Sequence, residues 1–307
     1  MASIKKLLLH IQKGTLGTRL SPPIKKYLRD QRKKYWARKT SQQSEFVFSI
    51  FPKVRIILYG DCELSKDIYL KDFEIDEITF MAKYLQKGDV FVDIGSNFGY
   101  YSLIASSCVG PLGKVYAFEP THKTFMRLLR NIELNRFENI IPIKKAISSQ
   151  NGKLPMNISQ DGYDAWNSLT KPDKTGLFVT EEVEAITLDD LTKDLDLSKK
   201  ISLIKIDVEG WEIELLKGGQ KFLSLPNAPV FQVEFNDRAL SNAGYSSKTL
   251  FEQINKLGFE LFQYDRKKNQ LTKFPYAGER LFINLYAIKP SHLNDLKKCF
   301  VLEPQKV

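Results

Sequence analysis

Cysteine and histidine are scarce in this chain, with three of each in 307 residues. Cys62, Cys108 and Cys299 stand far apart and form no C-x-x-C pair. That spacing excludes a disulfide framework and a paired-thiolate zinc site, and fits a reducing cytoplasm. His10, His122 and His292 are scattered, and His122 reads as a helix-terminus residue, so no histidine base is in view. No apolar run approaches the roughly 20 residues of a membrane-spanning helix. The Leu7-Leu8-Leu9 run is too short, and too closely flanked by lysines, for a secretion signal. Neither G-x-G-x-x-G nor G-x-x-x-x-G-K-[ST] occurs, which weighs against a dinucleotide or a nucleoside triphosphate.

Acidic residues are missing from one end. Residues 1–40 hold twelve Lys and Arg against Asp30 alone, a net +11. The whole chain carries +10, so residues 41–307 carry 10 − 11 = −1. The body therefore has no general field for nucleic acid, and the basicity is a local attachment. Within this arm Ile24, Tyr27, Leu28, Gln31 and Tyr35 fall near helical spacing, with Lys25, Lys26, Arg29, Arg32 and Lys33 around them. Two readings stand: peripheral attachment to an anionic membrane surface or acidic partner, or a solvated helix packed on its own domain.

With 43% hydrophobic content the chain buries an ordinary core. Four segments are expected: a basic arm at 1–44, a covering hairpin and helix at 45–86, a large α/β domain at 87–290, and a tail at 291–307. The hairpin is read at Phe46–Phe51 and Val54–Tyr59, and the helix at Ile75–Leu85. From Val90 strands and helices alternate, which specifies a mainly parallel sheet with helices on both faces. Residues 148–180, rich in Gly, Asn, Asp, Ser and Lys, read as a long, partly irregular segment of the kind that forms lids or binding loops. The last strand expected is Leu281–Ile288.

The organising stretch is VFVDIGSNFGYYS at 90–102: a strand, a tight turn and a helix. Asn97 and Tyr100 stand where a dinucleotide turn would carry glycines. Glu119, at the end of the next strand, is placed to accept both hydroxyls of a ribose. A cofactor without a pyrophosphate suits this arrangement, and S-adenosylmethionine fits it. Gly95 and Gly99 would let the backbone lie against the methionyl part, helix-start amides would face its carboxylate, and Asp93 would brace the loop.

Read in order, Phe73-Glu74, GDVFVDIGSNFGYYS at 88–102, YAFEP at 116–120, Asn139 through Ala146-Ile147-Ser148, Thr187 to Leu191, IKIDVEGWEIELLKGG at 204–219 and QVEF at 232–235 resemble the FkbM-type class I S-adenosylmethionine-dependent methyltransferases. The resemblance runs from about Leu70 to Tyr264. It implies a Rossmann-like, seven-stranded sheet whose last strand is antiparallel, and methylation of a hydroxyl oxygen on a sugar or a polyketide-type product. Carried over, it makes Gly95, Asn97 and Gly99 the cofactor loop, Glu119 the ribose carboxylate, Ala146 the neighbour of adenine, and Asp207 a residue near the donor methyl. Glu74 helps close the methionine end, and Asn167 and Ser168 lie where acceptor contacts are expected.

A hydroxyl acceptor must lose a proton, and with no histidine at hand the candidates are Asp207, Glu209 and Glu234 at adjacent strand ends. Asp207 is the first choice for general base. Glu209 is the alternative for fixing the loop, and Glu212 reads as helix surface. Asp207 with Glu234, Asn236 or Asp237 would also offer oxygen ligands to Mg²⁺. The expected activity is O-methylation of a sugar or glycan hydroxyl. Its rivals are a nucleic-acid methyltransferase, disfavoured by the near-neutral body and the lack of an Asn/Asp-Pro-Pro-aromatic motif, and a non-catalytic cofactor-binding scaffold. The sequence leaves the oligomeric state open.

Overall fold

The computed structural model describes residues 22–71, 73–159, 168–169, 177–194, 201–278 and 280–303. Helix α1 (Pro22–Gln42) leads into the hairpin β1 (Glu45–Phe51) and β2 (Val54–Tyr59), then α2 (Glu63–Leu70) and α3 (Ile75–Tyr84). The alternating part follows as β3 (Val90–Ile94), α4 (Tyr100–Val109), β4 (Lys114–Phe118), α5 (His122–Asn135) and β5 (Ile140–Ile143). A small separate sheet comes next, β6 (Ala146–Ser148), β7 (Gly152–Ser159) and β8 (Phe178–Thr187). The main alternation resumes with α6 (Leu188–Asp194), β9 (Ile201–Ile206), α7 (Glu212–Gly218), α8 (Gln220–Ser224), β10 (Val230–Asn236), α9 (Asp237–Asn242), α10 (Ser247–Lys256) and β11 (Glu260–Asp265). It closes with β12 (Gln270–Lys273), β13 (Phe282–Ile288), α11 (Leu293–Leu296) and β14 (Val301–Leu302).

The main sheet has the order β14-β12-β11-β13-β10-β9-β3-β4-β5. From β5 to β10 all neighbours are parallel, and β13 inserts antiparallel between β10 and β11. These seven strands are the Rossmann-like class I sheet expected from the sequence, with its last long strand reversed. Two short strands, β12 and β14, extend the edge to nine. Strand order reverses between β3 and β9, which opens a crevice over their carboxyl ends.

Alternation along each strand divides the core in two. On β3, Val90, Val92 and Ile94 face one apolar cluster with α6, α7 and α10, while Phe91 joins the other with the hairpin, α3 and α4. The hairpin is tied down by Asn131 of α5, fully buried, whose Oδ1 accepts from Ile57 N at 2.7 Å and whose Nδ2 donates to Phe98 O at 2.8 Å. One amide thus joins the hairpin edge to the loop after β3.

Two expectations are sharpened here. Among the described residues of 148–180, Gly152–Ser159 form a regular strand: β7 pairs with β8 in unbroken antiparallel register from Gly152↔Ala185 to Ser159↔Phe178. In the arm helix the inward residue is Trp36, 7% exposed and packed on Phe46 and Tyr69, whereas Tyr27 and Tyr35 stay in solvent. Arg32 adds a hydrogen bond from its guanidinium to Leu70 O at 2.8 Å. Among the described residues no helix is long and apolar enough to cross a membrane.

Candidate active site

A cavity of about 620 Å³ lies over the strand ends, in the usual range for small-molecule sites. Its floor follows the sheet: Glu119 after β4, Gly95 to Asn97 after β3, Asp207 to Glu209 after β9, Glu234 on β10 and Asn284 on β13. Phe73, Glu74 and Glu77 line it from the α3 side, and Ala146, Ile147 and Met156 from the small sheet.

The loop after β3 is held by its own amides. Gly95 N and Ser96 N donate to Phe118 O, Asn97 N to Glu119 Oε2 at 3.0 Å, and Gly99 N to Ser96 O. Asn97 sits at φ +50°, a left-handed conformation that Asn tolerates better than most residues. A Cβ on Gly95 would stand 1.8 Å from Asp207 O, so this glycine is needed where the loop passes the end of β9. Gly99 does not line the cavity; a Cβ there would meet Leu128 at 2.7 Å, so its role is the close approach of α4 to α5. Asp93 is fully buried behind the loop and accepts from Ser102 Oγ at 2.5 Å, the bracing role expected of it.

Glu119, 5% exposed, accepts at Oε1 from Thr121 N at 3.0 Å and from the hydroxyls of Thr121 and Thr124 at 2.6 Å each. Its Oε2 carries Asn97 N and keeps a lone pair toward the cavity. Burial pushes this carboxyl above its ordinary range, against the pull of those donors.

At the other end, one carboxylate oxygen from each of Asp207, Glu209 and Glu234 lies within 4.8 Å of the others. Lys205, 5% exposed, donates to Asp207 Oδ2 at 2.8 Å and lies over the Tyr101 ring. Burial opposes its charge, but Asp207, Asp93 and Glu74 outweigh that and raise its pKa. Burial, then repulsion from neighbouring carboxylates, holds Glu209 and Glu234 well above the ordinary carboxyl range. Glu74 is pushed up to about 7 by burial first; Lys205 opposes the shift and Asp207 adds to it. Its Oε1 accepts from Asn284 at 3.1 Å, while its buried Oε2 has no hydrogen-bond partner. Glu74 (φ +43°) and Glu209 (φ +49°) both adopt left-handed backbone, a strain that clusters at working sites.

The structure thus brings Glu74, Gly95, Asn97, Glu119, Ala146, Asp207, Glu209 and Glu234 around one cavity. Ser168 stands beside it and donates its hydroxyl to Glu209 O at 2.6 Å, fixing the strained turn. Asn167 lies outside the described residues. Asp237 is not in the carboxylate cluster and accepts from Ser247 N and Leu281 N. Asn236 stands beside the cluster, donating its Nδ2 to Glu234 Oε2 at 3.5 Å while its Oδ1 caps α9 by accepting from Ala239 N. Glu212 is not helix surface: it is 1% exposed, with Oε1 accepting from Gly210 N. His292 is buried on Ala228 O and does not line the cavity. Sequence reasoning missed Lys205, Tyr101, Glu77, Phe282 and Asn284. Lys205 alone left a signal, a lysine inside an apolar strand two residues before Asp207 and so on the same face.

The seven-strand doubly wound sheet with its last long strand reversed is the class I methyltransferase fold. The methyltransferase FkbM domain model matches residues 93–261, more than half of the chain, and the chain belongs to that family. It is an S-adenosylmethionine-dependent methyltransferase. It is 28% identical over 198 residues to the hexuronic acid methyltransferase AglP of Haloferax volcanii, covering 64% of this chain and 74% of that protein. It is 26% identical over 190 residues to methyltransferase sdnD of Sordaria araneosa, covering 53% of this chain and 73% of that one.

Proposed function

We propose that this protein methylates a hydroxyl oxygen of a sugar or glycan. The observation that carries the reading is the carboxylate cluster at the far end of the donor cavity, with Asp207 ion-paired to Lys205 and the Glu209 and Glu234 carboxyls pushed up by burial and by their acidic neighbours. The hexuronic acid methyltransferase among its relatives points to the same substrate class.

Residues over β4 and β3 fit the donor. Glu119 Oε2 faces the ribose hydroxyls, Ala146 and Ile147 flank the adenine, and the loop from Gly95 to Asn97 lies along the methionyl part. The partnerless Glu74 Oε2 suits its ammonium. The donor supplies a methyl group made electrophilic by the adjacent sulfonium. Asp207 takes the proton of the acceptor hydroxyl, while Lys205 holds its carboxylate in place from behind. Glu209 and Glu234 donate or accept hydrogen bonds that orient the acceptor, and Ser168 keeps the Glu209 turn in shape. Positioning of this kind supplies most of the catalysis an in-line displacement needs.

A second reading concerns attachment. Lys34 and Arg38 are exposed on the same side of α1 as Tyr27 and Tyr35, with Arg29 and Lys33 exposed elsewhere on the helix, and these basic and aromatic groups suit an anionic membrane.

Incubation with labelled methyl donor and fractionated glycans, lipids and RNA tests the main reading. Label should enter the glycan fraction. Label in RNA would favour a nucleic-acid methyltransferase, and no S-adenosylhomocysteine from any fraction would favour a scaffold.

A further inference from the structure

The cavity is long in the direction of the sheet. From Glu119 after β4 to Phe282 and Asn284 on β13 it crosses β3, β9 and β10, four strand spacings or about 19 Å. The donor, on the reading above, covers the β4 and β3 end. What is left over β9, β10 and β13 is the acceptor's space.

Its charge is one-sided. Asp207, Glu209 and Glu234 form its floor, and Glu77 faces it from α3. Among the described lining residues the basic groups are Lys145 and Lys205. Lys205 is committed to Asp207, and Lys145 lies beside Ala146 at the adenosine end, 3.8 Å from Glu184. The amide of Asn284 is taken by Glu74 and Glu77. A carboxylate or phosphate placed here would meet like charge with no uncommitted cation among the described lining residues to answer it, and such juxtapositions reject partners strongly. A neutral polyol, by contrast, donates an O–H to each acidic side chain.

The second observation is Phe282. It lines the cavity at its outer edge yet is 79% exposed, an apolar ring held in water at the mouth of a polar site. An aromatic face in that position suits the C–H face of a saturated ring, with the ring hydroxyls turned down to the acids.

We propose that the acceptor is a neutral or amino sugar, bearing no carboxylate or phosphate on the ring that is methylated, stacked on Phe282 with its hydroxyls on Asp207, Glu209 and Glu234. This rests on the sugar reading above, and it separates the protein from a relative named for a hexuronic acid.

The test uses the full chain saturated with S-adenosylhomocysteine, and titrates methyl β-glucoside, methyl β-glucosaminide and methyl β-glucuronide calorimetrically. Methyl transfer to each, with labelled donor, is measured in parallel. The glucoside or glucosaminide should bind and react at least tenfold better than the glucuronide. Phe282→Ala, at an exposed position, should weaken that binding about tenfold and leave S-adenosylhomocysteine affinity unchanged. Glu234→Gln should narrow the preference over the glucuronide. A glucuronide that binds as well as the glucoside overturns the charge argument while leaving sugar methylation intact. Donor-product binding with no sugar of any charge taken up overturns the sugar reading, and this proposal with it.

Discussion

Replacing Gly95 by alanine should cripple turnover well beyond its effect on folding. Gly95 sits at φ +80°, where a side chain costs about 1–2 kcal/mol. The added Cβ would stand 1.8 Å from Asp207 O, and contacts below 3.0 Å are not tolerated, so the Gly95 loop and the end of β9 must separate by at least 3.0 − 1.8 = 1.2 Å. That separation shifts the proposed base relative to the donor loop. A misplacement of about 1 Å costs on the order of 10²-fold in rate. Gly88 is the control, because it has φ +91° but nothing within 4 Å of its Cβ position. Gly88→Ala should lose about 1–2 kcal/mol in urea unfolding from backbone strain alone, and Gly95→Ala more, because the atom its Cβ meets is backbone. Only Gly95→Ala should add the rate loss, measured as S-adenosylhomocysteine release at saturating donor. Equal turnover in the two variants would refute the claim that Gly95 positions Asp207.

Three further outcomes follow from the same geometry. Asp207→Asn should lower kcat by about 10² to 10⁴ with little change in donor-product affinity, and normal turnover would remove Asp207 from the mechanism. Burial raises the Glu212 carboxyl from 4.5 to about 7. Between those values the folded chain keeps a proton the unfolded chain has released, so stability falls as pH rises from about 4.5 to 7, by at most about 1.4 kcal/mol per unit, and is level above. Glu212→Gln should flatten that fall in a Tm series across pH, and an unchanged profile would show the proton is held elsewhere. Changing the exposed Arg29, Lys33, Lys34 and Arg38 to Gln should abolish sedimentation with phosphatidylserine vesicles, at roughly 1 kcal/mol per charge. Unaltered sedimentation would sink the membrane reading.

The parallel strands were the most legible part of the chain. The alternation begins at Val90 as read, and Val90–Ile94 and its parallel neighbours are continuous apolar runs bounded by Gly, Pro or Asp because they are buried on both faces. The acids at their ends were equally plain, since side chains after parallel strands converge whatever the helices do. Within 148–180 the polar composition hid one regular strand: β7 pairs with β8 in a sheet with one face in solvent, which needs few apolar positions. The arm shows a different limit. Tyr35 and Trp36 are adjacent, and only the position of the hairpin decides which of the two aromatics turns inward. Glu212 was misread because an acid in a first helical turn is ordinarily exposed, whereas here it reaches back to Gly210 N inside the fold. The acceptor half was least legible, since Phe282, Asn284 and Glu77 come from segments brought together by the antiparallel strand and the covering helix.

The most direct test of hydroxyl methylation is the chemical form of the transferred label. Product from the glycan fraction, treated with mild alkali, should keep its label and yield an O-methyl monosaccharide on acid hydrolysis. Label lost to alkali as methanol would mark a carboxylate ester, and would contradict a site that deprotonates a hydroxyl at Asp207.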